Sequence, residues 1–269
     1  MLDLPADPLA STQAVLPVSL IATPRTALFT CAPHERVRDV VKRHPDYDHI
    51  PVTEDGQPRS RVLGMLDAHR FRQTTSAKTV ADVYAPLCEE HLIGADAPII
   101  EFIWDAAERE CRLLVSGKSI SGLVTLSDLQ SLPVRAALFA LVTRLEIVMT
   151  EWIQSEFARD REGWLGRLSE GRREKVREEI RAAKSSDTFV DELLCTYFGD
   201  KAAIVGKSPS LPGNRKEFSS AMSAAIKLRN AVAHAHNYAA SRAGALQVCS
   251  TVARISFWMD ALNSSDTGS

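Results

Sequence analysis

Two short segments hold residue types whose spacing could do chemistry. Leu228-Arg229-Asn230-Ala231-Val232-Ala233-His234 brings a permanent cation within five residues of an imidazole. An imidazole titrates near neutrality and can pass a proton between oxygens, while a guanidinium can neutralise a phosphoryl group whose charge is growing. Those two tasks are what metal-independent cleavage of an RNA phosphodiester requires. Gly122-Leu123-Val124-Thr125-Leu126-Ser127-Asp128 ends in hydroxyls and a carboxylate where a strand would turn into a helix. Carboxylate for ribose hydroxyls, with Thr and free helix N–H donors for phosphate, is the set a nucleotide needs. Ser127 and Asp128 also suit the plain role of helix N-cap.

Each segment needs an element to hold it. Met222, Ile226 and Leu228 place the first near the end of an amphipathic helix spanning Phe218 to His234. On it Asn230 and His234 share a face, while Arg229 lies about 140° round from His234 unless the helix ends there. The second segment closes one of two weakly similar repeats. Thr30-Cys31-Ala32-Pro33, followed by Val37, Val40 and Val41, matches Ile93-Gly94-Ala95-Asp96, followed by Ile100, Ile103 and Trp104, at an offset of 63. From Leu63-Gly64-Met65-Leu66 against Ser121-Gly122-Leu123-Val124 the offset is 58, because the second hairpin loop is shorter. Each copy reads strand, helix, strand, hairpin, strand, helix start. Past Val134 the pattern turns helical, with Leu138, Leu141, Val142, Leu145, Val148, Met149 and Trp152 forming one stripe.

Gly122, Thr125 and Asp128, with Ser127 between, resemble the Gly-h-x-Thr-x-x-Asp element of cystathionine-β-synthase (CBS) domains, and the tandem repeat is similar to a CBS pair over residues 15–132. The first copy departs from that element, holding Asp67 and Arg70 at the Thr and Asp positions. The resemblance implies an adenine nucleotide (AMP, ADP or ATP) as regulatory ligand at Gly122, Thr125, Ser127 and Asp128, and leaves the first copy in question. Arg229, Asn230 and His234 in an all-helical setting resemble the Arg-x(4–6)-His motif of HEPN domains, over residues 133–263. That resemblance implies a helical bundle, a homodimer with both motifs in one cleft, RNA as substrate, and no metal. Residues 1–14 read as a flexible lead-in and 264–269 as a disordered tail. The expected fold is therefore α+β: a CBS pair of two β-α-β-β-α repeats, then an all-α HEPN-like bundle.

Composition sets the outer limits. Of 269 residues, 45% are hydrophobic and 25% charged, enough for a real core. A net charge of -2 excludes a polycation that coats nucleic acid. Cys31, Cys88, Cys111, Cys195 and Cys249 lie far apart, which suits neither a disulfide framework nor a zinc site and points to a cytoplasmic protein. No run approaches the ~18–20 apolar residues of a membrane span. Gly117-Lys118-Ser119 and Gly206-Lys207-Ser208 look like phosphate-loop tails, but Arg112 and Lys201 stand where the earlier glycine belongs, so both read as turns. His236 reads as a surface histidine. The alternating charges from Gly171 to Arg181 read as a solvated helix face, with an RNA-backbone track as the other option. A non-catalytic protein that only binds nucleotide and dimerises is the competing interpretation of the whole chain.

Overall fold

Valines at i, i+3 and i+4 make α1 (Val37–Arg43), which buries Val37, Val40 and Val41, and the same spacing in α2 (Ile99–Asp105) buries Ile99, Phe102 and Ile103. Around these helices the computed structural model describes residues 16–73, 77–158, 160–186, 191–234 and 236–265. The expected lead-in 1–14 lies outside the described residues. So do residues 266–269 of the expected tail, whereas 264 and 265 belong to the last helix. Two compact units meet in sequence between Val134 and Arg135.

In the first unit, β2 (His49–Thr53) and β3 (Val62–Asp67) form one hairpin, and β6 (Cys111–Ser116) and β7 (Ser119–Thr125) the other. Gly117, at φ 58°, makes the second turn, so Gly117-Lys118-Ser119 is a hairpin turn as expected. The two-residue strands β1 (Thr23–Pro24) and β4 (Ala85–Pro86) then exchange partners. β1, which precedes the first copy, pairs with β7 of the second, while β4, which precedes the second, pairs with β3 of the first. With β5 (Leu92–Gly94) the sheets run β1-β7-β6-β5 and β2-β3-β4. Leu28, Val62, Met65, Leu113 and Leu123 form one buried cluster drawn from both.

Register between the copies corrects the sequence alignment. Cys31 bridges Val52 as Ile93 pairs with Leu114, and Pro24 faces Gly64's counterpart Gly122 as Pro86 faces Gly64. Cys31 to Ile93, Val52 to Leu114, Val37 to Ile99 and Pro24 to Pro86 each differ by 62, one residue less than the apolar match suggested. A helix start with two adjacent isoleucines, Ile99 and Ile100, fits either register by apolar character alone, and only the pairing decides. Arg25 fastens the lead strand to both hairpins: its guanidinium donates to the carbonyls of Pro58 at 2.7 Å, Ser60 at 2.7 Å and Ile120 at 3.1 Å.

The second unit is helical among its described residues: α3 (Leu132–Phe157), α4 (Arg161–Leu165), α5 (Glu170–Ser186), α6 (Phe198–Lys207), α7 (Arg215–Ala233) and α8 (Arg242–Ser265). All seven residues of the expected stripe on α3 are buried. Phe139 and Ile147 of the same helix are 48% and 41% exposed. Asn214 caps α7, its side-chain oxygen accepting from Lys216 N–H at 2.8 Å, and Phe218 meets Trp258 of α8 edge-to-face at 5.0 Å. Gly206-Lys207-Ser208 is the end of α6 and its cap rather than the expected turn, with Ser208 buried and donating to Glu156 at 2.9 Å. The charged helix α5 spends its cations on neighbours: Arg172 on Asp200 at 2.8 Å, Arg177 on Glu162 at 2.6 Å, Lys184 on Glu192 at 2.6 Å.

Candidate functional site

Thr125 ends β7 and begins a five-residue 3-10 turn, Leu126–Gln130. The cap is Thr125, not Ser127 or Asp128. Asp128 is its reciprocal partner, one carboxylate oxygen accepting from Thr125 N–H at 2.7 Å and from the Thr125 hydroxyl at 3.2 Å. Ser127 is exposed and Asp128 half-buried. Burial raises the Asp128 carboxyl above the ordinary aspartate value, against the pull of the two Thr125 hydrogen bonds. Across the hairpin, burial and the nearby Asp128 push the Cys111 thiol up. The Thr125 N–H is taken by Asp128 and the Leu126 N–H by the Glu110 carbonyl, so neither of these two is free for a phosphate.

Gly122 has a packing reason of its own. A Cβ there would lie 2.7 Å from the Thr23 carbonyl oxygen of β1, and at Gly64 it would lie 2.0 Å from the Ala85 oxygen of β4. Both glycines admit an exchanged strand. In the first copy, Arg70 pairs with Asp67 at 2.8 Å, so the two departures from the Thr and Asp pattern satisfy each other. A cavity of about 350 Å³ in this unit is lined by Phe29, Thr30, Glu35, Arg43 and Gly56, none of them a candidate site residue from sequence. Arg43 sits over the Phe29 ring at 5.6 Å and pairs with Glu35.

In the second unit α7 buries Leu228 and Val232 and leaves Arg229, Asn230 and His234 exposed. The helix ends at Ala233; His234 is the C-cap, its N–H donating to the Asn230 carbonyl at 3.0 Å. The His234 and His236 rings lie 5.9 Å apart. Sequence reasoning missed what holds this helix end. Arg135, in the first turn of α3, donates to the carbonyls of Val232 at 3.0 Å and His236 at 3.3 Å and lies over the Tyr238 ring at 5.2 Å. An arginine two residues after Pro133, about a hundred residues upstream, carries no local signal of that role. Among the described residues no group of three or more His, Cys, Asp or Glu is placed to hold a metal ion.

No protein-family model matches the chain, and no curated protein matches it. Among solved structures it is similar to the CBS domain of the bacterial CNNM/CorC family Mg2+ transporter in complex with ATP, at 20% identity over 45% of this chain and 88% of that one, with a TM-score of 0.37. CBSX2 in complex with AMP matches at 19% identity over 45% and 96%, TM-score 0.35. A hemolysin-like protein containing a CBS domain from Oenococcus oeni PSU matches at 14% over 45% and 92%, TM-score 0.36. These neighbours are CBS-domain structures that cover about half the chain; the remainder is helical. No described helix is long and apolar enough to cross a membrane.

Proposed function

We propose that this chain is a nucleotide-regulated, metal-independent endoribonuclease, with an adenine nucleotide sensed by the paired repeats and RNA cut by a HEPN-like helical unit. The observation that carries the reading is the end of α7, where Arg229, Asn230 and His234 are all exposed within its last turn and cap. Among the described residues Arg229 has no ion-pair partner, so its charge is available to an incoming phosphate. In the reaction His234 accepts the proton of the 2′-hydroxyl as that oxygen bonds to phosphorus. The bond to the 5′-oxygen breaks, the proton passes to that oxygen, and a 2′,3′-cyclic phosphate remains. Arg229 neutralises the pentavalent intermediate. Asp128, through its oxygen outside the capping box, accepts from the ribose hydroxyls of the regulatory nucleotide, and the active form is a homodimer.

Incubation of the purified chain with mixed RNA in EDTA, with and without AMP, ADP or ATP, tests the reading. Cleavage that ends in cyclic phosphate and falls ~10²–10⁴-fold in His234→Ala is expected. Arg229→Ala is expected to cost a comparable factor. Intact RNA under every nucleotide condition would turn the assignment to a non-catalytic nucleotide-binding dimer. The separation of Arg229 and His234 by about 140° on an ideal helix is the feature that favours that second reading.

A further inference from the structure

Between α7 and α8 runs a groove of about 550 Å³, a size suited to a small organic ligand. Its floor holds the buried Leu228 and Val248, and its walls carry Lys227 from one helix and Arg254 from the other. No described carboxylate lines it. Lys227 has no ion-pair partner among the described residues, and the Arg254 guanidinium makes only a long contact, 3.4 Å, to the Glu217 carbonyl. Two uncompensated cations flanking an apolar floor select an anion with a flat apolar part. Ser223 and Gln247 on the rim supply hydrogen-bonding groups for polar edges. One nucleotide, with a phosphate held at a cation and its base on Leu228 and Val248, meets all three demands.

The groove also leads to the proposed catalytic end. Ala231 lines it, and His234 caps the same helix three residues later. Lys227 and His234, seven residues apart, lie about 20° apart round the helix and about 10 Å apart along it, whereas Arg229 lies about 160° round from Lys227 and lines no part of the groove. We infer that this α7–α8 groove seats one nucleotide of a single-stranded RNA beside the phosphodiester that His234 addresses, with Lys227 and Arg254 as the phosphate-holding residues. The inference rests on the ribonuclease reading and supplies its substrate-binding surface.

The test uses the full chain carrying His234→Ala and a fluorescein-labelled single-stranded RNA, with binding read by anisotropy across a salt series. In that background Lys227→Ala and Arg254→Ala are each expected to weaken binding about tenfold and to reduce the salt slope by roughly 1. Ala224→Trp, which fills the groove without changing charge, is expected to abolish tight binding. Lys175→Ala, on exposed α5 surface, is expected to leave it unchanged. Thermal melts confirm that each variant is folded. Equal binding by the groove variants, or an equal loss in Lys175→Ala, overturns the inference. RNA that is bound through the groove but never cut by the chain with His234 intact overturns the ribonuclease reading alone. RNA cut at unchanged KM by Lys227→Ala and Ala224→Trp overturns the groove alone.

Discussion

Arg135 donates to the Val232 carbonyl at 3.0 Å, so a side chain in the first turn of α3 closes the C-terminal end of the helix that carries Arg229, Asn230 and His234. The last carbonyls of a helix have no partner within it, and a cation there is also favoured by the helix dipole. Arg135→Ala is expected to destabilise the chain by about 1–3 kcal/mol, through carbonyls left without their donor. Hydrogen exchange should show faster opening at residues 231–238, and RNA cleavage should fall although Arg135 touches no reacting atom. Lys at this position restores the charge but not the fork, so Arg135→Lys should recover only part of the protection. Unchanged exchange in Arg135→Ala would remove it as the positioning residue.

Asp128 has two duties that pH separates. Its carboxyl is raised by burial, so the protonated form is favoured in the folded unit. A raised acid contributes stability that is fully present below the ordinary aspartate value, near 4, and is lost as pH rises through its folded value. The melting temperature of the wild type should therefore fall relative to Asp128→Asn as pH rises past about 4. Asp128→Asn should also lower adenine-nucleotide affinity by tenfold or more in calorimetry, as loss of a charge-assisted hydrogen bond requires. A stability difference that moves the other way with pH would contradict the burial argument; equal nucleotide affinity would remove Asp128 from the ligand.

Gly64 and Gly122 should behave as a pair. Alanine at either would place a methyl group against backbone, the Ala85 oxygen or the Thr23 oxygen, and neither strand can yield without losing its pairing. A cost of about 1–3 kcal/mol is expected for each, with Gly64→Ala the worse because its contact is closer. Chemical denaturation read by circular dichroism measures both. Gly117→Ala, where nothing lies within 4 Å, should cost less, and only through its positive φ.

Phe139 and Ile147 are exposed apolar residues within α3 that a homodimer could cover, since the buried stripe of the same helix is already used. Light scattering should give a dimer at micromolar concentration for the wild type and a monomer for Phe139→Glu with Ile147→Glu. A wild-type monomer would remove the shared-cleft form of the mechanism. A dimer that survives both substitutions would move the interface elsewhere.

Sequence alone determined the things that depend on local periodicity. Val37, Val40 and Val41 repeat at helical spacing, the α3 stripe from Leu138 to Trp152 buries as a face, and Gly117 announces its turn; each follows from chemistry within a few residues. The α+β repeats followed by helices were legible for the same reason. Tertiary structure decided what depends on approach across long separations. The copies are related by 62 residues before the hairpins because Cys31 meets Val52 as Ile93 meets Leu114, and apolar character cannot distinguish neighbouring isoleucines. Gly122 is glycine because Thr23, about a hundred residues earlier, passes too close for a side chain. Asp128 reads from sequence as a ligand or a cap, and the fold commits one of its oxygens to Thr125. Arg135 meets Val232 only because two helices distant in sequence pack together. Hydrogen bonds and steric contact act over a few ångströms, so the chain cannot specify them residue by residue until folding has brought the partners within reach.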